Sequence, residues 1–417
     1  MIDVDRQRSA PLVVFVLLYI GFCISYIDRA AISLSLVHIG KDFHLSPAAL
    51  GVIVSTFYLS YAAMQIPGGW IADRWGSKVV VVISIAFWSL FTLLTGFAWS
   101  LASLIAIRFI FGLGEGGYPS ASVKGIAEAY SRADRPKMSA LLVSSNYVGS
   151  FIAPLVMAPL ILALGWRHAF AAIGVAGIVF AFLYLFVVKG VTPERRSRAA
   201  GPAQPASAAA GRATARTLLK MPLMWKVLIV WFGMGIVNKG LDAWMPAYLL
   251  TVRHLDLKAV GMLAPLPFVA ASISTAIGGW VMTRFFDGRE KLLLTGCCVV
   301  TAWFVFKMYT AETVAGVIAY QSIAYFFKSF VLAVVIALPT KILPQRLVGT
   351  GIGMVNFGGQ LSGFVAPAVI GFLVAYSGTY DAAFGFLVVS AAVAALVSMT
   401  ISAARIRDVH TASAQEA

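Results

Sequence analysis

Twelve long apolar stretches dominate this sequence and restrict what it can fold into. Each reaches about the ~20 residues that a helix needs to cross the hydrocarbon core of a membrane. The stretches lie at about 11–36, 48–70, 79–99, 101–123, 138–164, 168–188, 224–250, 258–283, 291–310, 313–340, 347–376 and 380–403. They are unbroken and do not alternate with polar residues, which favours helices over the strands of a membrane barrel. The sequence therefore predicts an all-α integral membrane protein with twelve transmembrane helices.

The composition agrees with this class and excludes others. A mean hydropathy of +0.87 excludes an ordinary soluble enzyme. The three cysteines all lie in apolar stretches, and the five histidines are scattered in or near loops, so neither a disulfide framework nor a metal-binding spacing is present. We therefore expect no metal, no cofactor and no enzymatic activity. The first stretch is too long for the core of a signal peptide, so we expect it to remain a helix.

The net charge of +15 reflects membrane topology. Most of the 32 Lys and Arg residues fall in the N-terminus, the even-numbered loops and the C-terminus. Those in the odd-numbered loops are few, namely Lys41, Arg167, Arg253 and Lys258. This asymmetry follows the rule that cytoplasmic loops are rich in positive charge, and it predicts that both termini are cytoplasmic. We therefore expect no nucleic-acid partner.

A repeat with a spacing of 210 residues relates the two halves of the chain. The matching positions are Gly68-Gly69-Trp70 with Gly278-Gly279-Trp280, Arg74 with Arg284, Asn146 with Asn356, and Asp28-Arg29 with Asn238-Lys239. Duplicated bundles are typical of secondary transporters, whose substrate site lies near the membrane midplane between the repeats. We expect two pseudo-symmetric six-helix halves, 1–188 and 221–417. The basic cytoplasmic linker at 189–220 is either a solvated tether or a segment that contacts anionic lipids.

The loop after the second helix carries a recognisable pattern, G-x-x-x-D-R-x-G-x-K, over residues 69–78. Gly69 and Gly76 allow close helix approach and a tight turn. Asp73 and Arg74 are expected to bridge to a neighbouring helix end and to hold the cytoplasmic side shut. The second half has a degenerate version at 279–289. The alternative, a plain basic turn, does not explain why the pattern is repeated.

A glycine-rich run on the fourth helix matches a nucleotide-binding motif by letter only. Residues 112–117 read G-x-G-x-x-G. That motif needs a preceding strand and a helix that begins at the glycines. Here the run lies inside an apolar stretch, so we interpret the small residues as a surface for tight helix packing.

Four charged residues lie deep in the first half. Asp28 and Arg29 are on the first helix, and Arg108 and Glu115 lie on one face of the fourth, seven residues apart. Charge inside a membrane is unfavourable and commonly marks function, although a structural ion pair is the alternative. Burial favours the neutral form of a carboxyl group and a nearby arginine favours its ionised form, so Asp28 and Glu115 are candidates to load and release a proton.

The second half supplies Lys239 and Asp242 on the seventh helix and Lys328 on the tenth. The deep basic residues outnumber the acidic ones by two, as Arg29, Arg108, Lys239, Lys307 and Lys328 stand against Asp28, Glu115 and Asp242. Surplus positive charge predicts an anionic ligand, and carboxylates fit Arg and Lys donors well. Lys239 and Asp242 are three residues apart on one helix. The alternative to a binding role for Lys239 is therefore that these two residues pair with each other.

Uncharged polar residues at similar depth complete the candidate binding set. Asn356 and Gln360 flank a short glycine run on the eleventh helix, where a side-chain amide needs a partner. Tyr61 and Gln65 share a face of the second helix by their spacing of four residues. We list all four as candidate substrate contacts.

At this point the residues resemble a known family. The segments concerned are Ser25–Arg29 on the first helix, Arg108–Pro119 on the fourth, Trp244–Tyr248 on the seventh and Asn356 on the eleventh. Together they are similar to the anion:cation symporter family of the major facilitator superfamily. That family includes bacterial permeases for galactonate, glucarate, hexuronate, tartrate and phthalate, and the vesicular sialin relatives. The resemblance covers essentially the whole chain.

The resemblance implies roles for several residues. Asp28 and Glu115 would be the protonatable pair. Arg29 would contact the substrate carboxylate or pair with one of those acids. Arg108 would couple Glu115 to the outer gate and is also listed as a candidate substrate contact. Asn356 would donate a hydrogen bond to the substrate.

One segment departs from the pattern of a plain sugar-acid permease. Residues 238–242 read Asn-Lys-Gly-Leu-Asp and are more highly charged than we would expect there. This leaves room for an aromatic or dicarboxylic acid, with Lys239 or Lys328 taking a second carboxylate.

The sequence therefore predicts a monomeric, proton-coupled symporter that imports an organic carboxylate across a bacterial inner membrane by alternating access. The first alternative is a proton-driven drug or metabolite antiporter of the same fold. The surplus of positive charge in the interior argues against it, because it disfavours cationic drugs. A membrane-embedded sensor is the second, against which the lack of a recognisable output domain counts.

Overall fold

The computed structural model describes residues 11–131, 134–188, 218–343 and 345–401, and the regular structure in this part of the chain is entirely helical. The helices are α1 (Pro11–Phe43), α2 (Pro47–Trp75), α3 (Ser77–Thr95), α4 (Leu101–Gly116), α5 (Tyr118–Ala129), α6 (Arg135–Val187), α7 (Pro222–Thr251), α8 (Leu257–Leu263), α9 (Leu266–Phe285), α10 (Glu290–Tyr309), α11 (Val314–Ile342), α12 (Gln345–Ser377) and α13 (Asp381–Met399). The predicted linker lies outside the described residues apart from 218–220, and so does the tail after 401.

Among the described residues, eleven helical spans are long and apolar enough to cross a membrane. One of these spans, α6, runs for 53 residues and contains two of the predicted stretches, so the eleven spans correspond to twelve stretches. At Gly165 the backbone leaves the helical conformation, with φ 75° and ψ 160°. That left-handed region favours glycine because it has no Cβ. The twelve predicted stretches are therefore confirmed, with the fifth and sixth joined across a break.

Two of the spans are bent where the sequence places glycine or proline. The fourth span breaks at Gly117 into α4 and α5, and Pro119 occupies the first turn of α5. Proline lacks a backbone N–H and is tolerated in a first turn, where that donor has no intrahelical partner. Glu115 therefore lies in the last turn of α4, immediately before the bend.

Contacts among the described residues divide the chain into two compact units. The first comprises the described part of Met1–Gln204 with Leu249–Pro265, and the second that of Pro205–Tyr248 with Leu266–Ala417. In the first unit α1 and α3 pack against α6, and α2 packs against α4. In the second, α9 and α10 pack against α11. Within each unit, polar side chains from other helix pairs also meet, those of α1 and α4 in the first unit and those of α7 and α11 in the second.

The glycine run on α4 serves helix packing, as predicted. A Cβ added at Gly112 would lie 2.6 Å from the backbone oxygen of Phe57 on α2. One added at Gly116 would lie 2.8 Å from the backbone oxygen of Tyr61. Both distances are shorter than side chains tolerate, so glycine is required for α2 and α4 to approach this closely.

Candidate functional site

A direct ion pair joins α1 to the last turn of α4 in the first unit. Arg29 on α1 donates from Nε to Oε1 of Glu115 on α4 at 2.8 Å, and its Nη2 lies 2.7 Å from the same oxygen. The hydroxyl of Ser25, one turn earlier on α1, also donates to that oxygen. The side chains of Arg29 and Glu115 are only 11% and 1% exposed. Of the two acids that Arg29 was predicted to pair with, it pairs with Glu115.

Aromatic rings enclose the Arg29 guanidinium on its other sides. The guanidinium carbon, Cζ, lies 4.8 Å from the ring centre of Tyr26, 5.1 Å from that of Phe57 and 4.6 Å from that of Tyr61. Each of these contacts is a cation–π interaction, which strengthens as water is excluded. Tyr61, predicted as a substrate contact, is thus placed against Arg29, and its side chain is buried.

Asp28 lies beside the pair but is held differently. Both of its carboxylate oxygens are buried and make no hydrogen bond of normal geometry with the described residues. The carboxylate interacts electrostatically with Arg108 and Glu115, and it faces the Trp88 indole and the Thr92 hydroxyl of α3. Asp28 is therefore a buried acid without a direct ion-pair partner among the described residues, surrounded mainly by donors.

Arg108 completes what we call the N-terminal cluster, formed by Asp28, Arg29, Arg108 and Glu115. Its side chain is fully buried, and its guanidinium lies 5.1 Å from the ring centre of Phe111 and 5.3 Å from that of Phe170. Its Nε and Nη2 have no hydrogen-bond partner among the described residues. The formal charges of the N-terminal cluster sum to zero, so the first unit keeps two acids and two bases together in its interior.

The sequence reasoning missed Trp88 and Thr92. Both belong to a polar face of α3 that the structure buries, and its members Ser84, Trp88, Thr92 and Thr95 recur every three or four residues. In an otherwise apolar helix, that spacing marks one face directed at polar neighbours. The spacing was therefore the signal that would have revealed these two residues.

The second unit holds what we call the C-terminal cluster, formed by Asn238, Asp242, Tyr325 and Lys328. The Lys328 ammonium donates to Oδ1 of Asn238 and lies 4.4 Å from the ring centre of Tyr325. Asn238 Nδ2 donates to Asp242 Oδ2 at 2.8 Å, and the Tyr325 hydroxyl donates to Asp242 Oδ1 at 2.6 Å. Here a neutral amide separates the acid from the base.

The other predicted contacts are not all drawn into these clusters. Lys239 is half-buried and interacts electrostatically with Lys328. Gln65 and Gln360 are half-buried, and neither side chain hydrogen-bonds within the described chain. The Asn356 side chain is exposed, and its contact with substrate stays a prediction.

In the signature loop Asp73 pairs with a residue in the middle of a neighbouring helix and not at a helix end, and the gating role of Asp73 and Arg74 stays a prediction. Asp73 accepts from Lys124 on α5 at 2.9 Å, whereas Arg74 lies over the ring of Trp70 at 5.7 Å. Gly76 ends α2 with φ 90°, a conformation that disfavours any side chain. Gly69 is half-buried, and a Cβ there would lie 3.6 Å from the Ser120 hydroxyl oxygen, an ordinary contact.

With this geometry established, comparison with known proteins identifies the family. The sequence pattern of the Major Facilitator Superfamily matches residues 18–367. This chain belongs to that superfamily. Membership makes the protein a multi-pass membrane transporter and not an enzyme, as the sequence predicted.

Two curated members of the superfamily extend along nearly the whole chain. The probable sulfoacetate transporter SauU of Cupriavidus necator is 32% identical over 411 residues, which cover 95% of this chain and 94% of that protein. The probable galactarate/D-glucarate transporter GarP of Escherichia coli is 28% identical, with 91% and 92% covered. These relatives confirm the resemblance to organic-acid permeases of the superfamily.

A solved structure confirms the superfamily fold. A bacterial homologue of the human lysosomal transporter Spinster, crystallised in an inward-facing and unoccupied conformation, aligns with a TM-score of 0.81. The alignment covers 94% of this chain and 97% of that one at 18% identity. At that identity the similarity concerns the fold alone.

Proposed function

We propose that this protein is a symporter that couples the entry of an organic carboxylate to the entry of protons by alternating access. The observation that carries the proposal is the Arg29–Glu115 ion pair with the unpaired acid Asp28 beside it. The two curated relatives are named as transporters of sulfoacetate and of galactarate or glucarate, and each of these compounds carries a carboxylate. The family resemblance described above supports the same assignment.

Competition for Arg29 supplies the coupling in this proposal. In the ion pair, Arg29 directs two donors at one oxygen of Glu115. A proton on Glu115 removes the charge that holds the guanidinium, because charge-assisted hydrogen bonds are about twice as strong as neutral ones. Arg29 then exchanges the protein carboxylate for that of the substrate. Loading the anion therefore requires loading the proton.

The surroundings of Asp28 favour a proton over a metal cation as the coupling ion. A sodium ion needs several oxygen ligands, as other hard cations do. The groups that face Asp28 include the indole N–H of Trp88 and the guanidinium of Arg108, which donate hydrogen bonds and repel or fail to bind a cation. A proton, in contrast, needs no ligand other than the carboxylate oxygen that binds it.

The remaining candidate residues receive roles in the same proposal. Asp28 and Glu115 carry the proton, Arg29 binds the substrate carboxylate, and Arg108 acts on both acids. Tyr61 positions Arg29. The further candidate substrate contacts are Gln65, Asn356, Gln360, Lys239 and Lys328. Gly69, Asp73, Arg74 and Gly76 shape and gate the cytoplasmic end of the first half.

The setting of the protein is part of the proposal. The distribution of Lys and Arg supports two cytoplasmic termini, and the bacterial origin of the relatives supports a bacterial inner membrane. We propose six-helix halves at 1–188 and 221–417, with 189–220 as a cytoplasmic linker, in a protein that works as a monomer surrounded by lipid.

The test is transport by the purified protein in liposomes, measured as current on a solid-supported membrane. Sugar acids, hydroxy acids, dicarboxylates and aromatic acids are offered at two pH values, and the same acids are tested by labelled counterflow. We expect one class to be transported. We also expect the Asp28→Asn and Glu115→Gln variants to lose accumulation against a gradient but to retain counterflow.

The matched control is Asp381→Asn, which alters an acid in the exposed first turn of α13 and should accumulate substrate like the wild type. If either Asp28→Asn or Glu115→Gln still concentrates substrate, the coupling assignment is wrong. If no carboxylate gives current or counterflow, the organic-acid assignment is wrong, and proton-driven export of drugs becomes the function to test.

A further inference from the structure

Lys328 is a buried base whose hydrogen bonding is incomplete. It lies fourteen residues from the start of α11, about 21 Å along the helix axis. Its side chain is 5% exposed. Its hydrogen bond goes to the neutral Asn238 amide oxygen, although an ammonium group has three donors. Two donors of a buried cation are therefore available for another acceptor.

The nearest acid does not neutralise Lys328 directly. No acid among the described residues forms an ion pair within 4.0 Å of Lys328. Both oxygens of Asp242 instead accept from neutral donors, the Asn238 amide and the Tyr325 hydroxyl. The Asn238 amide keeps the ammonium and the carboxylate apart, bonding one with its oxygen and the other with its nitrogen.

The local charge favours a second anion. Lys328 interacts electrostatically first with Asp242 and then with Lys239, which adds positive potential against the effect of Asp242. Together Lys239, Lys328 and Asp242 carry a formal charge of +1, while the N-terminal cluster carries none. A buried charge is strongly unfavourable unless it is paired and hydrogen-bonded. An incoming anionic group gains both the unused donors and the surplus positive charge.

We propose that Lys328 and Asn238 form a subsite for a second anionic group, a carboxylate or sulfonate, of the transported acid. The substrate class is then a dianion. The Asn238 amide orients the ammonium, and Asp242 holds that amide in place through Nδ2. This inference rests on the proposed function and adds to it the charge of the substrate.

The test compares two acids that differ at one end only. Galactarate carries a carboxylate at both ends, whereas galactonate has a hydroxymethyl group at one end. Labelled counterflow of each is measured in chloride-free liposomes for the wild type and for Lys328→Met. We expect Lys328→Met to lower galactarate transport by about tenfold or more, the size expected for losing a hydrogen bond to a charged group. The same substitution should change the counterflow of galactonate by less than about threefold.

Three companion variants separate a subsite from a structural charge. Lys328→Arg keeps the charge and should keep the preference for galactarate. Lys307→Met is the matched control, because it removes a half-buried lysine of α10 in the same unit and should leave the preference intact. The double variant Lys328→Met/Asp242→Asn restores the formal charge of +1 that Lys239, Lys328 and Asp242 carry together in the wild type. If it recovers galactarate transport, Lys328 only balances Asp242, and the subsite is refuted.

A second readout does not depend on transport. Galactarate should raise the thermal unfolding temperature of the purified wild type more than galactonate does, and Lys328→Met should abolish that difference. The same assay with sulfoacetate tests whether the subsite accepts a sulfonate. If chloride stabilises the wild type as much as galactarate does, and only through Lys328, the site binds free anions and the inference is wrong.

The two proposals fail in different ways. A wild type that moves neither acid in counterflow overturns both the proposed function and the subsite. A wild type that moves galactonate and galactarate equally well, unchanged by Lys328→Met, overturns the subsite alone.

Discussion

The N-terminal and C-terminal clusters occupy related places in the repeat but join their charges differently. Asp28-Arg29 on α1 corresponds to Asn238-Lys239 on α7 at the 210-residue spacing. In the first unit Arg29 pairs directly with Glu115, and the charges balance. In the second, the residue that replaces Asp28 is an amide, and it separates Lys328 from Asp242. The repeat has therefore conserved a helical scaffold while its polar chemistry has diverged.

The same contrast appears in the packing of the repeated Gly-Gly-Trp segment. A Cβ added at Gly68 would lie 2.4 Å from the Cα of Gly117, whereas one added at Gly278 would lie 3.4 Å from the Cβ of Ala333. The first contact is with backbone and the second with a methyl group. The first unit is thus tightly constrained next to its ion pair, and the second has room at the equivalent position.

The largest effect should come from breaking the N-terminal ion pair. Arg29→Gln leaves Glu115 as a buried uncompensated charge, which should destabilise the protein by about 3–5 kcal/mol. Uptake should fall by about 100-fold or more, since a lost charge-assisted contact is worth up to about 3 kcal/mol. Thermal unfolding and counterflow measure the two effects.

The partner variants sharpen this prediction. Arg29→Gln/Glu115→Gln should regain stability but not uptake. Lys328→Met should destabilise by about 1 kcal/mol or less, because it leaves a neutral amide unpaired and not a charge. Equal destabilisation by Arg29→Gln and Lys328→Met would show that the two clusters do not differ as described.

The next largest effect should distinguish the two glycines. Gly68→Ala should destabilise by about 1–3 kcal/mol or more, because the backbone of Gly117 cannot move aside without separating α2 from the bend between α4 and α5. Gly278→Ala should stay within about 0.5 kcal/mol of the wild type. The yield of monodisperse protein and its unfolding temperature measure both. Similar losses for the two variants would contradict the difference in packing.

A smaller effect should follow from changing a donor that faces Asp28. Trp88→Phe removes the indole N–H and keeps most of the ring. It should lower proton-driven uptake by about tenfold or less and change its pH profile, since a hydrogen bond contributes about 1 kcal/mol. The control is Trp303→Phe on α10, a 55% exposed tryptophan that should have no effect. An unchanged pH profile in Trp88→Phe would remove Trp88 from the proton site.

The smallest effect should come from the signature loop. Asp73→Asn breaks the ion pair with Lys124, in which the Asp73 side chain is 81% exposed. Such surface pairs contribute about 0–1 kcal/mol, so stability should barely change. The position equivalent to Asp73 is Thr283, which donates only within its own helix. A fall in transport rate without a change in stability would support gating by Asp73, and a large loss of stability would contradict the surface-pair description.

The sequence by itself determined the helices and the charges they carry. Twelve apolar stretches were enough to predict the spans, because a helix that crosses a membrane must satisfy its backbone hydrogen bonds internally and present apolar side chains to lipid. The 210-residue repeat predicted the duplication, and the deep acids and bases of each half were visible as exceptions in apolar runs. Within α7, however, the sequence analysis named Lys239 as the alternative partner of Asp242, whereas the structure joins Asp242 to Asn238, four residues away.

Only the tertiary structure decided which of these groups meet. Asp28 and Arg29 are neighbours in sequence, yet successive side chains on a helix point about 100° apart. Arg29 therefore reaches Glu115 on α4, while Asp28 faces Trp88 and Thr92 on α3. In the same way, Lys328 meets Asn238, ninety residues away in sequence, and does not bond to Asp242. Periodicity within one helix fixes the face on which a side chain lies, but which neighbouring helix covers that face depends on packing between distant segments.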